Sequence, residues 1–178
     1  MKFSVFIATS LDGYIARPDG DIEWLFANSD PNDKEDYGYA DFMSTVTCIV
    51  MGRNTFEKVL SFPEWPYDKP VIVISKTMTI LPESCVGKVE IFSGTIADLQ
   101  KVLEDKGYER IYLDGGKTIQ SFLQARIVTD IVLTRIPVLI GSGLPLFGSL
   151  DKDLKLKHLE TKSYSSGFVQ SKYEIENS

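Results

Sequence analysis

The sequence predicts one α/β domain: a mixed, mostly parallel sheet of about eight strands, flanked by about four helices and ending in an antiparallel hairpin. Three observations carry the prediction. Runs rich in Val, Ile, Phe and Tyr recur along the chain, several of them continuous rather than alternating, as strands covered on both faces are. Helix-like stretches separate the central runs, the pattern of crossovers between parallel strands. The C-terminal portion then changes character, with alternation at Val169, Tyr173 and Ile175 after a polar loop ending in Gly167.

Residues 3–9 read as a first buried strand, too short for a signal-peptide core with its cleavage site. The loop over 10–25 is long and rich in Gly and Asp, yet carries Tyr14, Ile15 and Trp24. Binding loops look like this, and so do connections pinned by their own aromatics. Residues 33–45 suggest a helix interrupted by Gly38. A strand over 47–51 leads into a helix starting near Asn54 or Thr55, and the proline-rich segment 61–70 bridges to a strand over 71–75. After a strand at 89–92, Thr95 and Asp98 have the spacing of a capping box. Ile96, Leu99, Val102 and Leu103 then form one stripe, and Gly107 stops the helix. Strands at 110–113 and 130–134 enclose a short helix over 118–124. The Gly141-Ser142-Gly143 segment reads as a chain reversal, and 154–161 with 168–175 as the hairpin. No linker or repeat divides the chain, so residues 1–178 form one domain.

Composition narrows the function. The net charge of −6 argues against general affinity for nucleic acid or an anionic membrane, since both need a basic face. No apolar run approaches the ~18 residues that span a bilayer. Cys48 and Cys85 make neither a disulfide framework nor a zinc spacing, so a reducing cytoplasm is the expected compartment. His158, the single histidine, lies in a polar stretch and reads as a surface residue. This removes Ser-His-Asp and histidine-metal chemistry, and no metal site is expected. The acidic run over 30–36 lacks a calcium-loop pattern and reads as a solvated helix start.

Two strand-to-helix junctions are suited to an anionic ligand. At Gly52-Arg53-Asn54-Thr55 a glycine lets a ligand approach the backbone, the free N–H groups of a new helix attract phosphate, and Arg53 adds a fixed cation. At Asp114-Gly115-Gly116-Lys117-Thr118 a glycine pair bares backbone N–H groups in the same way. Neither is a G-x-G-x-x-G or P-loop pattern. Two such turns at strand C-termini in one sheet mark the edge where α/β proteins bind ligands. Ser75 and Lys76, ending a third strand, offer a hydroxyl and a cation to a further phosphate.

Four segments occur in an order that resembles the dihydrofolate reductase superfamily. They are Ser10-Leu11-Asp12-Gly13-Tyr14-Ile15-Ala16, Met51-Gly52-Arg53-Asn54-Thr55-Phe56-Glu57, Leu113-Asp114-Gly115-Gly116, and Pro137-Val138-Leu139-Ile140-Gly141-Ser142-Gly143-Leu144-Pro145-Leu146-Phe147. Within the superfamily they look most like the reductase domain of the bifunctional riboflavin-biosynthesis deaminase/reductase. The resemblance implies a dihydrofolate-reductase-like fold and NADPH as cofactor. Ala8 and Ile15 would flank the nicotinamide, and Gly52, Arg53, Asn54 and Thr55 would hold phosphates and the adjoining ribose. Ser75 and Lys76 would meet the adenosine 2′-phosphate, while Gly115, Gly116, Lys117, Thr118 and Ile119 would line the pyrophosphate and nicotinamide side. It also implies a homodimer.

The carboxylate that folate enzymes carry on their first helix maps without gaps onto Asp36, with Asp41 as the alternative, and Asp12 is a second candidate acid. The neighbourhood lacks the Pro-Trp-x-Leu-Pro wording of folate enzymes and has Asp21-Ile22-Glu23-Trp24-Leu25 instead. Trp24 and Tyr39 are the candidate substrate contacts, with Arg17 and Lys117 at the mouth for a phosphate. The implied reaction is hydride transfer from NADPH to a C=N bond or carbonyl-derived group of a small heterocycle. A carboxylate or water would supply the proton, and a carboxylate kept partly desolvated has the raised pKa suited to that role. Three functions compete: a reductase resembling 5-amino-6-(5-phosphoribosylamino)uracil reductase, a dihydrofolate reductase, and a non-catalytic NADPH-binding protein.

Overall fold

The computed structural model describes residues 1–26 and 35–176. In chain order the elements are β1 (Lys2–Ser10), β2 (Tyr14–Ala16), α1 (Tyr39–Ser44), β3 (Cys48–Gly52), α2 (Arg53–Leu60), β4 (Val71–Ile74) and β5 (Val89–Phe92). They continue with α3 (Ile96–Asp105), β6 (Arg110–Asp114), α4 (Gly116–Gln124), β7 (Asp130–Ile136), β8 (Leu144–Pro145), β9 (Leu156–Ser163) and β10 (Val169–Ile175). Among the described residues eight strands form one sheet in the order β5-β4-β3-β6-β1-β7-β10-β9. Pairing is parallel from β5 to β7, and β10 is antiparallel to both β7 and β9.

Continuous apolar runs put both faces of the central strands in a core. Alternate residues such as Val50, Ile111 and Leu113 meet Leu99 and Leu103 of α3 and Ile119 and Phe122 of α4. Ile49, Met51 and Tyr112 point the other way, onto Phe42 of α1 and Phe56 and Val59 of α2. A third cluster gathers Trp24, Ile136 and Phe168 beside Ala8. At the N-terminal ends of the strands Arg110 donates to Asp130 (2.9 Å), Ser4 Oγ (2.9 Å) and Thr45 Oγ1 (2.9 Å), joining β6, β7, β1 and the end of α1.

All eight expected strands form, with the hairpin displaced to β9 and β10. The helix expected over 33–45 is corrected to the short α1. Residues 33 and 34, like 30–34 of the acidic run, lie outside the described residues. The helix cannot begin earlier than Gly38, because Tyr37 (φ 57°) and Gly38 (φ 80°) are both left-handed. The early loop and the Gly141–Phe147 stretch, expected to be irregular, pair with each other as β2 and β8. The capping box of α3 forms as its spacing requires, with Thr95 Oγ1 accepting from the Asp98 amide at 3.1 Å.

Candidate active site

The two glycine junctions are neighbours. Met51 at the end of β3 lies opposite Asp114 at the end of β6, and Gly52 lies opposite Ile74 at the end of β4. The turns also interlock. A β-carbon on Gly52 would come within 3.1 Å of Thr118 Oγ1, and one on Gly115 would collide with the Thr55 hydroxyl. A third, on Gly116, would lie 2.7 Å from Ile15 Cδ1 and 3.3 Å from the Pro145 carbonyl oxygen. Gly115 also has φ +89°, where an L side chain is strained. Gly52, Thr55, Gly115, Gly116, Thr118 and Ile15, which lie in three distant parts of the chain, thus form one cradle.

The helices opening from the cradle leave their N-termini free of side chains. Neither α2 nor α4 has a side-chain cap, whereas α3 closes its own N-terminus with the capping box. Uncapped first-turn N–H groups and the positive end of each helix dipole both favour a phosphate. Arg53 leans toward the third strand end, donating to Thr77 Oγ1 at 3.1 Å while pairing with Glu57 at 2.6 Å. The Ser75 hydroxyl accepts from the Thr77 and Met78 amides, shaping the turn on which Lys76 is exposed. Asn54 and Lys117 are exposed at the rim. Ile119 differs from the rest, since its side chain is fully buried in the core. It contributes to the turn through its amide, which donates to the Gly115 carbonyl at 2.9 Å.

Ala8 stands opposite Thr134 in register and packs with Trp24, Ile136 and Phe168. Trp24 is 4% exposed, and its indole N–H has no partner among the described residues. Thr134 Oγ1 accepts from Gln170 Nε2 at 3.0 Å, and that amide also donates to the Tyr37 carbonyl at 2.9 Å. Tyr39 meets Phe6 edge-on at 5.6 Å. Its hydroxyl pKa is pushed up to about 12 by burial, then by the charges of Asp114 and Asp68.

The carboxylates expected to be raised are instead lowered, which reverses that expectation. Asp36 is exposed, and its carboxylate accepts from the Ala40 and Gly38 amides, both at 2.9 Å. Those bonds hold its pKa below the ordinary value. Asp12 is exposed too and accepts from the Ser10 hydroxyl and from the Gly141 and Ile140 amides, with the same effect. The raised carboxyl is Asp114, partly buried at the end of β6, where desolvation outweighs the hydrogen bond from the Tyr67 hydroxyl at 3.2 Å. Asp114 is not among the acids the sequence suggests; its signal there is a lone carboxylate closing an apolar strand directly before a glycine pair. His158 is exposed on β9, as expected, and bonds Thr161.

Residues 2–170 match the profile of the RibD C-terminal domain family. The chain belongs to that family. An uncharacterised relative, YwjB of Bacillus subtilis (strain 168), is 34% identical over 175 residues, covering 97% of each chain. A Shewanella sp. PV-4 protein provisionally assigned to riboflavin biosynthesis is 42% identical, with a TM-score of 0.95 over 99% of this chain and 100% of that one. The Thermotoga maritima diaminohydroxyphosphoribosylaminopyrimidine deaminase/5-amino-6-(5-phosphoribosylamino)uracil reductase superposes with a TM-score of 0.76 at 14% identity. That match covers 98% of this chain and 56% of that one. Dihydrofolate reductase from Enterococcus faecalis, complexed with NADP(H), gives 0.68 at 16% identity over 99% and 97% of the two chains. At such identities the last two establish the fold, which is that of dihydrofolate reductase. No helix among the described residues is long and apolar enough to cross a membrane.

Proposed function

We propose that this RibD-type domain is an NADPH-dependent reductase acting on a small heterocycle of the riboflavin-precursor class, such as 5-amino-6-(5-phosphoribosylamino)uracil. The observation that carries the reading is the pair of interlocked turns, packed so closely at Gly52, Gly115 and Gly116 that a β-carbon there would press on neighbouring atoms, which sets two uncapped helix starts side by side. Its donors suit a dinucleotide pyrophosphate. Gly52, Arg53, Asn54 and Thr55 hold one side, and Gly115, Gly116, Lys117 and Thr118 the other, with Ile119 buried behind them. Arg53, Ser75 and Lys76 form the subsite for a 2′-phosphate, the feature that favours NADPH over NADH. Ala8 and Ile15 bound the nicotinamide. Bound NADPH supplies the hydride.

The chain's own residues orient the acceptor and deliver the proton. Trp24 and Tyr39 bound the acceptor. Asp114 stays protonated further up the pH scale than an ordinary carboxyl because it is desolvated. Asp114, whose Oδ2 accepts from the Tyr67 hydroxyl, is the carboxyl that supplies the proton to the reduced substrate. Asp36 holds the start of α1 through the Gly38 and Ala40 amides, while Asp41, the alternative, lies exposed in the first turn of α1. What disfavours the folate reading is Asp21-Ile22-Glu23-Trp24-Leu25 standing in place of the Pro-Trp-x-Leu-Pro wording. The outermost strand β9, exposed along all eight residues, supports self-association into a homodimer. Two buried, unpaired cysteines suit a reducing cytoplasm.

Loss of the NADPH absorbance band with the phosphoribosylamino-uracil but not with dihydrofolate is the expected result. Turnover of dihydrofolate alone would replace the proposal with a folate reductase. Micromolar NADPH binding without turnover of either would replace it with a nucleotide-binding protein.

A further inference from the structure

The two loops over the cradle are fastened to each other in an ordered series of contacts. The Leu11 amide donates to the Val138 carbonyl (2.8 Å) and the Leu146 amide to the Gly13 carbonyl (3.0 Å). Tyr14 and Ala16 of β2 pair with Pro145 and Leu144 of β8. Both segments end on the same spot, since Ile15 Cδ1 and the Pro145 carbonyl are the atoms a Gly116 β-carbon would meet. Asp12 is the side chain that completes the series. Its Oδ2 accepts from the Gly141 amide at 2.8 Å and its Oδ1 from the Ile140 amide at 3.3 Å. Oδ1 also accepts from the Ser10 hydroxyl at 2.6 Å, and Ser10 Oγ in turn accepts from the Tyr14 amide at 3.0 Å. One carboxylate therefore ties the far loop, its own loop and the first residue of β2 together.

We infer that Asp12 is a positioning residue: its carboxylate latches the loop bearing Ile15 to the loop after β7 and so holds Ile15 against Gly116. The assignment rests on the reductase reading only for its consequence on cofactor binding. The latch itself is a property of the apo chain. An ionised carboxylate is needed because its hydrogen-bond partners among the described residues, the Gly141 and Ile140 amides and the Ser10 hydroxyl, are all donors. An asparagine would turn its NH2 toward one of these donors and lose at least one bond. Ionisation is favoured by the Ser10 hydroxyl first and then by the Gly141 and Ile140 amides, against desolvation. With the folded pKa below 3.8, the latch is complete above pH 3.8 and opens as the pH falls through the lower folded value.

Hydrogen exchange of the apo protein tests the latch without any cofactor. In Asp12→Asn and Asp12→Ala the Ile140 and Gly141 amides should exchange about tenfold faster than in the wild type. Ser10→Ala should speed the Tyr14 amide, and circular dichroism should confirm that each variant folds. Wild-type protection at Gly141 should fall in acid below pH 3.8, whereas that of Asp12→Asn should not depend on pH there. In turnover, KM for NADPH should rise roughly tenfold in Asp12→Asn with kcat within about threefold. Unchanged exchange at Ile140 and Gly141 in both Asp12 variants overturns the latch. Faster exchange with an unchanged KM overturns its positioning role. If the wild type neither binds nor oxidises NADPH, the reductase reading fails, while the exchange rates still decide the latch.

Discussion

At Gly115 a single hydrogen in place of a side chain makes the cradle possible. The residue sits at φ +89°, and a β-carbon there would strike the Thr55 hydroxyl, so Gly115→Ala carries both backbone strain and a clash. We expect a destabilisation of about 1–3 kcal/mol by denaturant unfolding and at least a tenfold weaker NADPH affinity by titration. Asp114 should behave in the opposite way. Its raised folded pKa means that the folded chain gives up stability as the pH rises above 3.8, toward the folded value, because a desolvated carboxyl is being ionised. Asp114→Asn should therefore raise Tm at neutral pH while lowering kcat, the trade-off expected of a functional group held in an unfavourable setting. A variant that loses both stability and activity would mean that Asp114 supports the fold rather than the reaction. A lone carboxylate closing an apolar strand before two glycines marks Asp114 in the sequence, but whether it is buried depends on Tyr67, 47 residues away along the chain, which only the folded sheet brings beside it.

Elements were legible wherever a continuous apolar run set them. The β3 sequence Cys48-Ile49-Val50-Met51 and β4 sequence Val71-Ile72-Val73 could only be strands buried on both sides, and they are. α3 was equally legible, because Thr95 and Asp98 are a local signal that needs no tertiary partner. α1 was not, since its start is decided by two left-handed residues, one of them the non-glycine Tyr37. Stacking of Tyr37 on Phe168 (5.1 Å) and the Gln170–Tyr37 bond hold that strained turn, and both partners lie far along the chain. β2 and β8 have three and two residues, too few to show a period, so the clasp over the cradle had no sequence signature beyond its glycines. Between elements, Arg110 ties β6 to β7, β1 and the end of α1 at the sheet edge opposite the cradle. Arg110→Ala should cost about 2–4 kcal/mol in chemical denaturation, because it leaves Asp130 partly buried without its cation. KM for NADPH should stay within about twofold of wild type.

Across the whole molecule, the sheet ends on β9, which exposes every residue, including Leu156 and Leu159, and shares a groove of about 660 Å³ with Phe6, Tyr37, Phe42 and Tyr164. An open edge of that length is the kind that natural sheets cover. Light scattering should report a dimer at micromolar concentration, and a charge inserted at Leu159 (Leu159→Glu) should shift the mass toward the monomer. The reductase reading depends more narrowly on the cradle and its phosphate subsite, and the most direct measurement is a calorimetric titration of the apo protein with NADPH and with NADH. We expect micromolar NADPH binding, NADH weaker by at least tenfold, and loss of most of that discrimination in Arg53→Ala/Lys76→Ala. No heat with NADPH, or equal affinity for the two cofactors in the wild type, would contradict it.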